Sequence, residues 1–206
     1  MQAPLFSFTR RTHLIPVYVI ILITAGCIDQ HTSPPACTSC EEPAQVPFSG
    51  KAITVLTDEG VFLLVPVAQY SALVQVVGKK QCYDEDSELV PVDLCVVWGS
   101  LADPSLLQYT EFIQEERSCT CMYDERSPAD DPAVLTQFVN IHIIPATTHI
   151  LDALYAVNPG DIIILEGYLV NIYVEGVLYI ETSTVWTDSG AGSCEILYLT
   201  ALSVVQ

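Results

Sequence analysis

The segment from residue 162 to residue 186 most constrains the fold of this chain, because it contains two long runs of residues that favour β-strands. The runs are IIILEGYLVNIYVE and VLYIETSTVW, and they meet at Glu175-Gly176. Aliphatic and aromatic side chains suit the pleated surface of a sheet, and a short connection that contains Gly favours a hairpin. The segment therefore predicts a long antiparallel hairpin.

A short helix is predicted immediately before this hairpin. Apolar residues recur at helical spacing from 150 to 157, with Thr148 as the expected N-cap. Asn158-Pro159-Gly160-Asp161 is a stop signal, in which Asp161 is expected to fix the turn into the next strand. A second short helix is predicted after Asp103, an N-cap acceptor that is followed by proline.

The other β-type runs are separated by turns and polar loops. Pro66 interrupts one of them and is expected at an edge or a strand end, since proline cannot donate to a ladder. Residues 83–88 form an acidic loop without the spacing of a calcium site. About eight strands and two short helices predict a mainly β domain, a small antiparallel barrel of OB-like topology. The further runs are 52–57, 61–67, 71–78, 92–98, 110–123, one that ends at 145, and 194–205.

The N-terminus carries an export signal. Arg10 and Arg11 precede an apolar run from 14 to 26, which is too short to span a membrane and is typical of a signal peptide. Residues 23–27 resemble the lipobox of a bacterial lipoprotein, which implies cleavage after residue 26 and a lipid on Cys27. Ile28 is not acidic, so in a Gram-negative cell we expect the outer membrane, facing the periplasm. The alternative is an ordinary signal peptide.

These boundaries predict a signal peptide over residues 1–26, a lipidated tether over 27–50 that is rich in Pro, Ser and Thr, and a single domain over 51–206. The chain has 25 acidic residues against 7 Lys plus Arg. So negative a surface repels phosphate backbones, and we expect no nucleic-acid partner. Solubility outside the cytoplasm explains the charge, and cations, basic peptides or a basic protein partner are the alternatives.

Eight cysteines in an exported chain indicate disulfide bonds. Cys37 and Cys40 are spaced for a local disulfide or for bonds to a partner, and they lack the neighbours of a haem or zinc motif. If Cys27 carries lipid, seven cysteines remain, so at least one must be free, bound to a ligand or paired between chains. Cys119 and Cys121 share one face of a predicted strand, and we expect them to have different partners.

Four segments resemble a family of exported bacterial proteins without an assigned function. They are V-D-L-x-x-x-W-G-x-x-A-D-P at 92–104, N-x-H-x-I-P-A at 140–146, P-G-D-x-I-x-L-E-G-Y-L-V at 159–170 and D-S-G-A-G-S-C-E at 188–195. Their order and spacing cover nearly all of the chain from about residue 71 onward. The resemblance implies export but no particular activity.

His142 is the most unusual polar residue of the apolar pattern. It lies between Ile141 and Ile143, so it shares a strand face with Asn140. A neutral imidazole at this position could act as a base or a metal ligand, or it could be a buried residue that bonds to a nearby carboxylate or hydroxyl. The candidate polar site comprises Asn140, His142, Trp98, Asp103 and Glu195.

The sequence contains no complete catalytic motif. It lacks a G-x-S-x-G elbow, a phosphate-binding glycine loop and a metal-ligand spacing, so we expect no cofactor. The predicted function is a lipid-anchored envelope module that binds or scaffolds a protein partner without catalysis. The alternative is an envelope hydrolase or a metal-dependent enzyme that uses His142 with Asp103, Asp188 or Glu195. A third hypothesis is a thiol-based metal or redox protein, in which reduced cysteines among Cys82, Cys119, Cys121 and Cys194 would meet.

Overall fold

The computed structural model describes Cys37 and residues 40–128, 131–185 and 194–205. The signal peptide, Cys27, Asp188 and the Gly-rich loop around it lie outside these residues. Within them, no helix is long and apolar enough to cross a membrane. The strands are β1 (Ala44–Pro47), β2 (Ile53–Thr57), β3 (Gly60–Gln81), β4 (Val92–Val97), β5 (Thr110–Glu115), β6 (Ser118–Tyr123), β7 (Phe138–Pro145), β8 (Ile162–Val174), β9 (Val177–Ile180) and β10 (Glu195–Val204); the α-helices are α1 (Pro104–Leu107) and α2 (Thr148–Ala156), and 3₁₀ turns occur at Gly99–Ala102 and Pro132–Thr136.

Five strands of the larger sheet follow one another in a ring. The order is β3, β4, β7, β10 and β8, and β8 pairs again with β3. β7 and β10 are parallel, whereas the other neighbours in the ring are antiparallel. In chain order α2 lies between β7 and β8, the third and fourth of these five strands, and this arrangement is OB-like. The prediction of a mainly β domain with two short helices is confirmed, and the strands form a ring rather than a closed barrel.

β3 is the longest strand, with 22 residues, and it joins two predicted runs into one. The prediction that Pro66 lies at an edge or a strand end is wrong. The pairing of β3 with β8 shifts register between Pro66 and Ala68, and on the other side β2 pairs only as far as Leu64 while β1 begins at Ala68. Proline is therefore tolerated here because it lies at a bulge between two ladders.

The helix caps agree with the sequence to within one residue. The Asp103 side chain accepts a hydrogen bond from Ser105 N at 2.7 Å and caps α1, as predicted. The cap of α2 is Thr147, whose hydroxyl accepts from Ile150 N at 3.2 Å, so the expectation of Thr148 is wrong by one position. The backbone of Thr147 is extended, which a cap requires.

The folded domain begins before residue 51, so it includes residues that were predicted to belong to the tether. β1 pairs with β3, and Cys37 and Cys40, which form a local disulfide, are buried in the main core. The Cys40 carbonyl accepts a hydrogen bond from Gly99 N at 2.7 Å.

The run from 110 to 123 is a hairpin, β5 and β6, rather than one strand. Its turn is at Glu116-Arg117, where both φ angles are positive. A disulfide joins Cys95 of β4 to Cys119 of β6, so Cys119 and Cys121 are not bonded to each other, but Cys121 is free rather than bonded to a different partner. The disulfide attaches the hairpin to the larger sheet.

Successive side chains of β4, β7 and β10 point to opposite faces of the sheet, and two separate apolar clusters lie on these faces. Leu94, Ile141 and Leu197 belong to the main core. On the opposite face, which we call the pocket face, Asp93 pairs in register with His142, which pairs with Ile196. Ile196 belongs to a second cluster built on the ends of β3 and β8. Asp93 and His142 therefore lie beside the apolar surface of this second cluster.

Gly167 of β8 is the glycine at which two strands approach most closely. A Cβ atom at this position would lie 2.2 Å from the backbone oxygen of Tyr198 in β10. We expect Gly167→Ala to lower the free energy of unfolding by about 2 kcal/mol or more, because backbone rather than a flexible side chain must move. Urea unfolding measures this change. Gly50→Ala is the matched control, since its nearest contact is the Phe48 ring, and an equal loss in both variants would contradict the prediction.

Candidate functional site

The candidate site is centred on a buried carboxylate and an imidazole of adjacent strands. The His142 Nδ1 atom lies 2.9 Å from Asp93 Oδ1. The Asp93 side chain is 1% exposed and that of His142 is 16% exposed. A buried carboxylate needs a hydrogen-bonded or charged partner, and the register of β4 and β7 places the imidazole opposite it.

Arg117 brings a second cation to Asp93. Its Nη1 atom lies 3.2 Å from Asp93 Oδ1 and donates to the Val90 carbonyl at 2.9 Å. Nε donates to Asp84 Oδ2 at 2.7 Å, and Nη2 donates to the other oxygen of the same carboxylate. The guanidinium therefore links the acidic loop to the buried carboxylate through a two-pronged ion pair.

The turn that carries Arg117 has an unusual backbone. Glu116 has a φ of 44° and Arg117 a φ of 63°, a conformation that two-residue hairpin turns usually reserve for Asn and Gly. Non-glycine residues in this region are strained and persist where the surroundings fix them. Here the Arg117 carbonyl accepts from Asn140 Nδ2 at 3.1 Å, and Asn140 Oδ1 accepts from Gln114 Nε2 at 3.1 Å.

Two thiols flank the pair of Asp93 and His142. Burial, the negative charge of Asp93 and a hydrogen bond with it raise the pKa of Cys82 to about 11, against the weaker opposing effect of Arg117. The Cys194 thiol donates a hydrogen bond to the Arg117 carbonyl, with 3.9 Å between sulfur and oxygen. Cys194 precedes Glu195, which pairs with Ile141, so Cys194 lies on the same face of the sheet as His142.

The pKa of His142 is raised from 6.5 to about 9. Burial alone lowers it, but the hydrogen bonds to Asp93 and Cys194 and the charges of both partners more than offset the burial. The imidazole is therefore protonated at neutral pH and neutralises part of the acidic charge around it.

A pocket of about 590 Å³ opens beside this cluster. One part of its wall is apolar and almost completely buried, and another part is formed by three successive acidic residues of the loop between β3 and β4. The size is typical of a site for a small ligand or a side chain of a partner. The pocket is lined by Asp84, Glu85, Asp86, Val90, Arg117, His142, Ile172, Ile180 and Ile196.

Two of the five predicted site residues lie together and three lie elsewhere. Asn140 is on the pocket face with His142. Its Nδ2 atom donates to the carbonyl of Arg117, and Arg117 lines the pocket. Trp98 is buried in the main core, and the Asp103 carboxylate caps α1. The carboxylate partner of the imidazole is Asp93 rather than the proposed Asp103.

Glu195 lies on the opposite face of β10 from the pocket. It pairs in register with Ile141, not with His142, and is fully buried. Burial and the nearby Glu195 carboxylate raise the pKa of Tyr70, which indicates that these two residues are neighbours in the main core. Asp188 lies outside the described residues, so its proposed role stays a prediction.

Sequence reasoning missed the part that Asp84, Asp93 and Arg117 play in the site. One signal was available, because Asp93 interrupts the run VDLCVV, all six residues of which are buried. A charged residue in a buried strand is rarely left unpaired, so it marks a polar site. Among the described residues, no group of three or more His, Cys, Asp and Glu side chains is arranged to hold a metal ion.

Comparison with protein families, with curated proteins and with solved structures gives no match to this chain.

We expect the stability of the protein to fall as the pH rises from 6 to 8.5. The folded-state pKa of His142 lies above its ordinary value of 6.5, so the stabilisation is complete below pH 6.5 and is lost as the pH approaches 9. The loss over this interval is about 2 kcal/mol, from the size of the pKa shift. Urea unfolding at several pH values measures it.

His142→Gln should remove this pH dependence. His149→Gln is the matched control, since His149 is exposed on α2, and should retain it. A wild-type stability that is constant or rises over this interval would contradict the assignment.

Proposed function

We propose that this protein is an exported, lipid-anchored binding module of the bacterial cell envelope, without catalytic activity, and that the pocket beside His142 is its binding site. We further propose that it faces the periplasm from the outer membrane, and that the uncharacterised exported family suggested by its four sequence segments includes it.

The observation that carries the binding proposal is the composition of the pocket. Ile172 and Ile196 are buried in its wall, while Glu85 is exposed at its acidic side. A site with an apolar wall and a few placed polar groups is suited to binding. Its occupant should therefore have an apolar part and a polar part.

The charges of the pocket favour a cationic occupant. Arg117 is already paired with Asp84 and Asp93, and the proton of His142 Nδ1 is directed at Asp93. Among the described residues, no ion pair joins Glu85 or Asp86 to a cation, although Asp86 accepts a hydrogen bond from the Tyr179 hydroxyl at 3.0 Å. We therefore propose that the partner is an envelope protein that inserts a basic side chain next to an apolar one.

Two observations favour binding over the hydrolase hypothesis. Among the residues that the structure describes, the lining of the pocket includes no Ser, Thr, Cys or Lys side chain that could act as a nucleophile. Two of the carboxylates that the hydrolase hypothesis assigned to His142 point elsewhere, since Asp103 caps α1 and Glu195 faces the main core.

The binding proposal is tested with a library of displayed random peptides selected on the full-length protein in detergent. We expect enriched peptides in which Lys or Arg neighbours an aliphatic or aromatic residue. The variant Glu85→Gln/Asp86→Asn should bind the selected peptides about tenfold more weakly, because it removes the two negative charges proposed to attract the basic side chain, and this loss should shrink at high salt.

Glu111→Gln/Glu125→Gln is the matched control, since it removes the same charge from positions outside the pocket lining. Equal weakening of peptide binding by both double variants would mean that the effect comes from the net charge of the chain and not from the pocket. Enrichment of acidic peptides, or of none, would refute the proposal for this pocket.

The anchor is tested by labelling with radioactive palmitate in a Gram-negative host. We expect label on the wild-type chain in the outer-membrane fraction and no label on Cys27→Ser, because the thiol that would carry the lipid is absent. Cys121→Ser should stay labelled and membrane-bound. A wild-type chain without label, or label that persists on Cys27→Ser, would overturn the lipoprotein proposal.

A further inference from the structure

We propose that the disulfide between Cys95 and Cys119 is a redox-sensitive switch that holds one wall of the pocket in place. Reduction of this bond frees the hairpin of β5 and β6, and Arg117 moves away from Asp84 and Asp93. The effect on the pocket rests on the binding function proposed above. The release of the hairpin does not depend on it and is tested separately.

The hairpin contacts the larger sheet without sharing a ladder with it. Within the part of the chain that the structure describes, β5 and β6 pair only with each other. The disulfide is their covalent attachment, and its Cys95 end lies in β4 and is completely buried. The other attachments are side-chain contacts, namely those of Gln114 and Arg117 and the packing of the Phe112 ring on Phe138 of β7, with 5.7 Å between centroids. The position of the hairpin therefore depends on these contacts and on one covalent bond.

The disulfide acts close to the side chain that enters the pocket. Cys119 lies two residues after Arg117, which lines the pocket and pairs with Asp84 and Asp93. Glu116 and Arg117 have positive φ angles, and residues other than glycine keep such a conformation only while their surroundings fix it. The cross-link spans 24 residues and limits the separations that an open hairpin can reach. Breaking it therefore favours a relaxed turn with the guanidinium away from the two carboxylates.

The proposed step is a two-electron reduction by a dithiol. A thiolate of the dithiol attacks the sulfur of Cys119, which is partly exposed, whereas Cys95 is buried. The bond between the two cysteines breaks, and Cys95 leaves as a thiolate that takes up a proton. The second thiol of the reagent then attacks the mixed disulfide, which releases Cys119 as a thiol and closes the reagent into a cyclic disulfide. The protein gains two electrons and two protons, and the dithiol loses them.

Release of the hairpin alters the acidic side of the pocket. The Arg117 guanidinium binds both carboxylate oxygens of Asp84, the first of the three successive acidic residues in the lining. Without this ion pair, the loop between β3 and β4 is held by fewer contacts, and its carboxylates are less preorganised for a ligand. Peptides selected on the oxidised protein fit the pocket with this wall in place. Reduction therefore weakens their binding.

Limited proteolysis with trypsin measures the release of the hairpin, because Arg117 and Arg126 are the two trypsin sites of the chain after Lys80. The full-length protein in detergent is digested with and without dithiothreitol, and the fragments are followed by mass spectrometry. We expect cleavage after Arg117 to be at least about tenfold faster in the reduced protein, because cleavage follows the population of the open hairpin. Cleavage after Arg126, whose side chain is 81% exposed, should proceed equally fast in both and serves as the internal control.

Two variants separate this disulfide from the other described one. Cys119→Ser should be cleaved rapidly after Arg117 without dithiothreitol, because it cannot form the bond. Cys37→Ser/Cys40→Ser removes the local disulfide and should still need dithiothreitol for rapid cleavage. If either variant does not fold, the comparison of the oxidised and reduced wild-type chain decides the question.

The effect on the pocket is measured with the basic peptides selected on the oxidised protein. Dithiothreitol should weaken their binding to the wild-type chain at least about fivefold and should not change their binding to Cys119→Ser. Binding to the reduced wild type that is unchanged or tighter would overturn the regulation of the pocket.

Cleavage after Arg117 that is as slow after reduction as before would overturn the switch itself, and the binding function would stand. Failure to select basic peptides would refute the binding function and its regulation, while the trypsin experiment still decides whether the disulfide holds the hairpin.

Discussion

The buried carboxylate of Asp93 is the group on which the arrangement around the pocket depends. It is 1% exposed and contacts His142 from β7 and Arg117 from the hairpin of β5 and β6. Removing one partner of a buried ion pair commonly costs about 3 to 5 kcal/mol, because the remaining charge stays desolvated. Through these two partners, Asp93 connects β4 to β7 and to the hairpin of β5 and β6. Through Arg117 it also positions Asp84 and with it the acidic side of the pocket.

The pairing of Arg117 with Asp93 also explains the strained turn at Glu116 and Arg117. A left-handed conformation costs about 1 to 2 kcal/mol for each residue that is not glycine. The turn is held by the disulfide of Cys95 with Cys119, by the bond from Asn140 to the Arg117 carbonyl and by the ion pairs of the guanidinium. A relaxed turn would direct the guanidinium away from Asp93. The ion pairs of Arg117 therefore offset the strain of its backbone.

Charged groups and apolar side chains both line the pocket. The proposed binding role uses the apolar wall and the carboxylates of the acidic loop, whereas the imidazole of His142 is partly buried. His142 is protonated at neutral pH and paired with Asp93.

The sequence by itself determined the mainly β class, the hairpin turn at Glu175-Gly176 and the helix cap at Asp103, because these depend on alternation and on backbone preferences of neighbouring residues. It also singled out His142 as a polar residue in an apolar strand. Only the tertiary structure decided that its partner is Asp93, 49 residues away, that Glu195 faces the main core, and that Pro66 lies at a bulge within a long strand. Strand register sets these outcomes, and it is fixed by pairing between distant segments, which local patterns do not encode.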